Sequence, residues 1–241
     1  MRTENNKPLL SIVIPTYNEE KYIGRLLRSI KKQKGLPFEI IVADNRSKDK
    51  TAKIAKSFGC KVVIGGRPSR GRNNGAKHAK GEYILFLDSD TILPNNFVNE
   101  LMGTMVKKNL GVISGFYKPD SNKLKDKIFC FIFSYYFYFI SYIRPAGLGF
   151  YICIKNKIHK KIRGFDEKVA MAEDHDYVER ASKHDKFAFL KKPVIIASTR
   201  RLNKESAFNL FLKYGYCEIL RLLGKKVYQT PFKYEFGKFN K

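Results

Sequence analysis

Short, uninterrupted apolar runs separated by segments of helical periodicity constrain this chain more than any other feature. Residues 10–15 (LSIVIP) form the first such run, and a run this short and this apolar suits a strand buried on both faces. Ile23, Leu26, Leu27 and Ile30 then recur at helical spacing, with Arg25, Arg28, Lys31 and Lys32 on the other side. Asn18 is placed to cap that helix, Glu19 and Glu20 to complement its dipole, and Gly35 and Pro37 to stop it. The unit repeats: residues 38–43 read as strand, 50–58 as helix, 60–64 as strand, 71–79 as helix and 83–87 as strand. Strands alternating with helices predict βαβ units, hence an α/β fold on a mostly parallel, Rossmann-like sheet with helices on both faces.

Ligands on such sheets bind beyond the carboxyl ends of the strands, so the informative residues follow each strand. They are Pro15, Thr16, Tyr17, Asn18 and Glu19 after the first, Asp44 and Asn45 after the second, and Asp88, Ser89 and Asp90 after the fourth. Carboxylates gathered at one edge repel one another unless a cation sits among them. Asp88 and Asp90 are two apart, so in extended backbone they point the same way and make a hard-oxygen pair suited to Mg2+ or Mn2+. Asp44 could accept a hydrogen bond from a nucleobase or cap the next helix, and Ser47 or Asp49 could do that capping instead. Arg72 could meet a base or a phosphate, or be an ordinary solvated arginine. Asp174 opens a predicted helix over residues 173–183, where spacing alone reads a carboxylate as a cap. His175 beside it is read as an exposed helical histidine, and the four histidines have no ligand spacing.

The second half reads differently. Strands are expected at 110–116, 150–154 and 194–197, and a long amphipathic helix at 206–223 with Phe208, Phe211, Leu212, Ile219, Leu222 and Leu223 mainly apolar. Residues 128–143 (IFCFIFSYYFYFISYI) are wholly apolar or aromatic apart from serine and tyrosine hydroxyls. That is shorter than the roughly 20 residues needed to cross a bilayer. Lys118, Lys123, Lys125, Lys127 and Arg144 flank it, so it is either an interfacial segment for anionic lipid or a core helix over the sheet.

Across 241 residues, 47 Lys and Arg against 22 Asp and Glu give a net charge of +25, either a field that draws polyanions such as nucleic acid, anionic lipid or phosphorylated substrates, or an ordinary solvated basic surface. Four widely spaced cysteines match no zinc or redox spacing, and residues 1–8 hold no apolar core for a leader, so the expected setting is the cytoplasm. A module binding nucleic acid or membrane by charge alone would not need acids at strand ends. A nucleotidyltransferase would show a basic, glycine-rich loop after the first strand, where this chain has the acidic Thr16-Tyr17-Asn18-Glu19.

In order along the chain run Ser11-Ile-Val-Ile-Pro-Thr-Tyr-Asn-Glu19, Glu39-Ile-Ile-Val-Ala-Asp44 with Ser47-Lys-Asp-Lys-Thr51, Arg72-Asn-Asn-Gly75, Gly81 through Asp90, Arg163-Gly-Phe-Asp166 and Glu173-Asp174. In these the chain resembles the family-2 glycosyltransferases, which have the GT-A fold, over roughly residues 10–200. The resemblance implies one GT-A domain over 1–241, with a nucleotide-sugar half at 10–116, an acceptor half at 117–205, and a C-terminal helix and basic tail at 206–241. It implies a UDP- or GDP-sugar donor held by Pro15, Tyr17, Glu19, Asp44 and Arg72, ribose and metal at Asp88 and Asp90, and an inverting displacement with Asp174 as base. Arg200 and Arg201 are candidate diphosphate contacts. The expected partners are the donor, a glycan or lipid-linked acceptor and an anionic membrane surface, with no specific nucleic acid. The chain departs from the family at Asn45-Arg46-Ser47, where Asp-Gly-Ser is common, so the resemblance does not fix the base.

Overall fold

The computed structural model describes residues 7–229, except the side chains of Ala207 and Phe208. Most of the N-terminal stretch read as lacking a leader, the Phe208 side chain and the end of the basic tail lie outside the described residues. In chain order the elements are β1 (Leu10–Thr16), α1 (Glu20–Lys31), β2 (Phe38–Asp44), α2 (Thr51–Ser57), β3 (Lys61–Ile64), α3 (Pro68–Ala76) and β4 (Tyr83–Leu87). They continue as β5 (Thr91–Ile92), α4 (Phe97–Lys107), β6 (Val112–Pro119), α5 (Leu124–Ile143), β7 (Tyr151–Lys155), α6 (Asn156–Lys161), α7 (Glu173–Ser182), β8 (Phe187–Ala197), α8 (Arg200–Lys204) and α9 (Ala207–Leu222). One sheet runs in the order β3-β2-β1-β4-β7-β6-β8-β5.

The first half is the parallel sheet its βα alternation predicts. β1 pairs parallel with β2 and β4, and β2 with β3. Every residue of β1 is buried, as a strand covered on both faces requires. Its side chains divide by parity: Leu10, Ile12 and Ile14 join a cluster with Ile23, Leu26, Leu27 and Ile30 of α1, while Val13 joins Phe86, Ile152, Tyr177 and Val178 on the opposite face. Helices therefore cover both faces. α3 lies very close to β1, because a Cβ at Gly75 would come within 2.4 Å of Val13.

The second half makes the sheet mixed. β7 inserts antiparallel between β4 and β6, β6 pairs parallel with β8, and β5 pairs antiparallel with β8. β8 is far longer than the strand expected at 194–197, since Lys191-Lys192-Pro193 interrupts the apolar pattern; its ladder with β6 shifts register between Gly115 and Tyr117. α3 begins at Pro68, earlier than the expected residue 71, with proline in its first turn, where a missing N–H costs nothing. Asn18 does not cap α1. It sits at φ 53° and its Oδ1 accepts from Lys48 N–H.

Residues 128–143 lie in α5, and its two sides answer the two readings differently. Phe129, Cys130, Phe133 and Phe137 pack into the core, while Ile128, Phe131, Ile132, Phe139, Tyr142 and Ile143 are exposed. Among the described residues no helix is long and apolar enough to cross a membrane.

Candidate functional site

The loops after β1 and β2 are laced together. Ser47 Oγ accepts from Asn18 N–H, Thr51 Oγ1 from Glu19 N–H and Asp49 Oδ2 from Glu20 N–H, at 2.7–3.1 Å. Asp49 Oδ1 also accepts from the N–H of Thr51, the first residue of α2, whose N-cap position is Lys50 and carries no side-chain cap bond. Asp44 is buried and holds the loop. Its Oδ2 accepts from Ser47 N–H, and its Oδ1 from Ser47 Oγ and Thr16 Oγ1.

Beyond the carboxyl ends of β1 and β4 lies one cavity, lined among others by Pro15, Tyr17, Glu19, Arg72, Asp88 and Asp90. Asp174, Arg200 and Arg201 line it too, from the far end of the chain. Of the residues expected to hold donor or metal or to act as base, Asp44 alone does not line it, sitting one strand away behind Thr16. Two clusters, each an arginine held between carboxylates, organise the cavity.

Arg72 is 3% exposed. Its Nη2 donates to Asp88 Oδ1 at 2.8 Å and its Nη1 to Glu173 Oε1 at 3.0 Å. Its guanidinium carbon stands 5.3 Å from the centre of the Phe165 ring. Burial works against its charge, but Asp88, Glu173 and Asp174 outweigh that and hold its pKa above the usual value. Arg72 thus ties α3, the end of β4 and the start of α7 together. The sequence does not separate this from a solvated arginine, because its partners lie 16 and 101 residues away.

Arg200 anchors the second cluster. Its Nη1 and Nη2 donate to the two carboxylate oxygens of Glu19, each at 2.9 Å, and its Nε lies 2.8 Å from Asp90 Oδ2. A bidentate pair of this kind fixes geometry as well as charge. It joins the loop after β1 to the end of β8 across 181 residues.

Burial pushes the Asp88 carboxyl up to about 6, opposed by Arg72 and reinforced by Asp90. Burial also raises Asp174, against Arg72 and the N–H groups of His175 and Gly149. Gly149 is the residue the sequence reading passed over. A Cβ there would come 3.2 Å from Arg72 Nη2, 3.4 Å from Asp174 Oδ2 and 3.6 Å from Asp88 Oδ2, so the site closes around a position with no side chain. Its signal was the glycine pair 147 and 149, which marks a close backbone approach.

His175 is buried, against the expectation of exposure. It stacks on Phe137 with ring centres 4.8 Å apart, and burial lowers its pKa to about 4, so the ring is neutral. The face of α7 that carries it is covered by α5, which local spacing does not reveal.

Asp88 and Asp90 supply hard oxygens, but among the described residues no three His, Cys, Asp or Glu come together as a metal site. A pair of carboxylates fits a cation that takes its other ligands from water and substrate phosphates, the usual habit of Mg2+.

The sheet thus places an acidic, arginine-braced cavity at its carboxyl edge, where ligands bind on α/β folds. The chain belongs to glycosyl transferase family 2, whose pattern matches residues 11–157, and its fold is GT-A-like. The alternatives of a nucleotidyltransferase and of a charge-driven binding module give way to that match. The chain is similar to an uncharacterized glycosyltransferase of Rickettsia typhi, 30% identical over 195 residues, which are 73% of this chain and 59% of the relative. The chain thus spans about three fifths of that relative's length. In fold it is similar to TarS 1-349 of Staphylococcus aureus in complex with UDP-GlcNAc, with a TM-score of 0.65 and 23% identity, covering 95% of this chain and 69% of that one. It is also similar to the mannosyltransferase PcManGT of Pyrobaculum calidifontis in complex with GDP-Man and Mn2+, with a TM-score of 0.67 and 18% identity, covering 90% and 65%.

Proposed function

We propose that this chain moves a sugar from a UDP- or GDP-sugar to a hydroxyl or lipid-linked acceptor, with inversion at the anomeric carbon. The observation that carries the reading is the convergence of Asp88, Asp90, Arg72, Glu19, Arg200 and Asp174 on one cavity beyond the strand ends. Pro15, Tyr17 and Glu19 would frame the nucleotide, with Asp44 acting from behind by fixing the loop at Ser47. Asp88 and Asp90 would hold Mg2+ or Mn2+, which when bound neutralises the leaving diphosphate. Arg201 lines the cavity as well and would face that diphosphate, while Arg200, held by Glu19 and Asp90, would fix Asp90 and the loop after β1. Arg72, already committed to two carboxylates, would orient Asp88 rather than grip the donor itself.

The Asp174 carboxylate would take the proton from the attacking hydroxyl. Asp88 and Asp174 both approach the space at Gly149, so donor and acceptor would meet there. A base raised by burial lies nearer neutrality than an ordinary carboxylate and is the better matched to this step. The exposed aromatic side of α5 and its basic flank would rest on an anionic membrane surface from the cytoplasmic side.

Calorimetry with UDP-GlcNAc and GDP-mannose, with Mn2+ and with EDTA, tests the reading. One donor is expected to bind with the metal and to weaken on chelation, and Asp90→Ala is expected to remove the difference. Binding of neither nucleotide sugar would overturn it.

A further inference from the structure

One part of the cavity is lined by acids and arginines, another mainly by aromatic and aliphatic side chains. Past Asp174 and Leu148 it continues between β6, α5 and α9, where Tyr117, Phe129, Phe133, Leu210 and Tyr214 line it. Hydrogen-bonding groups at this end are scarce and engaged: the Tyr117 hydroxyl is shared with Cys130, and the Tyr214 hydroxyl lies 3.5 Å from Arg201 Nη1. A nucleotide sugar is polar along its whole length. Pushed into this end, its hydroxyls would give up water without replacement. The same argument disfavours a free glycan. The molecule that fills the apolar end must therefore be the second substrate. It must be apolar there, and it must place a nucleophilic oxygen at the polar end beside Asp174.

We infer that the apolar end is the subsite for the hydrocarbon chain of an amphiphilic acceptor, whose hydroxyl or phosphate head lies at Asp174. The inference rests on the proposed glycosyl transfer and narrows its acceptor to one with a lipid-like chain. The wall itself favours this occupant. α5 lines the cavity with Phe129 and Phe133 and exposes Phe131, Ile132 and Phe139 on its outer side, so one helix separates the subsite from an apolar surface. Lys123, Lys125 and Lys127 are exposed at the start of that helix, and Lys191 sits 4.5 Å from the Tyr138 ring centre. These charges complement an anionic headgroup or bilayer.

The chain contains no tryptophan, so a single one reports its own surroundings. Full-length Phe133→Trp and Tyr214→Trp place the reporter in the subsite, and Phe131→Trp places it on the outer side of α5. The probe is a series of alkyl β-glucosides with a bromine at the chain end, kept below their micelle concentrations. Saturable quenching is expected at positions 133 and 214, with affinity rising about four-fold per methylene, and weak, unsaturable quenching at 131. The two inner reporters guard against one variant failing to fold, which its melting curve reveals. Absence of quenching at both inner positions in folded protein would overturn the inference. So would equal quenching at 131, or competition by a short glucan as strong as that by an unbrominated alkyl glucoside of the same series. Donor calorimetry is independent of this readout. Chain binding without donor binding would sink the transferase reading alone, and donor binding without chain binding would sink the subsite alone.

Discussion

Replacing Asp174 by asparagine keeps the shape of the side chain and removes the proton acceptor. Asp174 Oδ1 accepts from His175 N–H at 2.9 Å, and an asparagine oxygen can do the same. Burial holds the carboxyl above its ordinary range, so the charged form is disfavoured in the fold, and a neutral amide relieves that cost above the carboxyl's pKa. Arg72 loses one of three nearby acids but keeps its direct contacts with Asp88 and Glu173. Folding should therefore change little: 1 kcal/mol either way would move Tm by about 2–4 °C in a chain of this size. Catalysis should change greatly. A positioned general base contributes about a hundred- to ten-thousand-fold, or roughly 2.7–5.4 kcal/mol of barrier. Transfer from the donor identified by calorimetry, followed as released nucleoside diphosphate in single turnover, should fall by that factor while donor affinity stays within about three-fold. Full activity in Asp174→Asn would leave the residue as a helix cap, and lost activity accompanied by lost folding would make it structural. An acceptor that attacks through an ionised phosphate needs no base, and retained activity confined to such acceptors would move the role from proton transfer to orientation.

Arg72→Gln removes a cation that holds the Asp174 pKa down, so that pKa rises further and the acid limb of kcat/KM should move to higher pH; an unmoved limb would mean that Asp174 is not the titrating base. Gly149→Val should abolish donor turnover and lower Tm by a few degrees, because a side chain there meets Arg72, Asp174 and Asp88 within 3.2–3.6 Å at its first carbon; normal steady-state kinetics would place the reaction elsewhere. Vesicles containing anionic lipid should sediment the protein at low salt and lose part of it at high salt, as exposed charges are screened. Phe131→Asp together with Phe139→Asp should weaken that association at least ten-fold, and an unchanged sedimented fraction would remove the exposed side of α5 from the contact.

The sequence by itself determined the first half of the fold and named the charged residues that line the cavity. Consecutive βα units bury strands on both faces, and that requirement is local: each run of apolar residues and each helical stripe can be read within about fifteen positions. The same logic put Pro15, Asp88 and Asp90 at strand ends, and ligands gather there on any such sheet. The family-wide order of motifs brought in Asp174, whose spacing alone said only helix cap. What the sequence did not determine is pairing between distant parts of the chain. The antiparallel insertion of β7 between β4 and β6, and the register shift in the β6–β8 ladder, depend on contacts across tens of residues. Arg72 became a buried brace only because α7 brings Glu173 against it, and Arg200 found Glu19 only after β8 had crossed the sheet. His175 and the two sides of α5 were decided by what packs over them. Burial is a property of the assembled layers, whereas periodicity records only that one side of an element differs from the other.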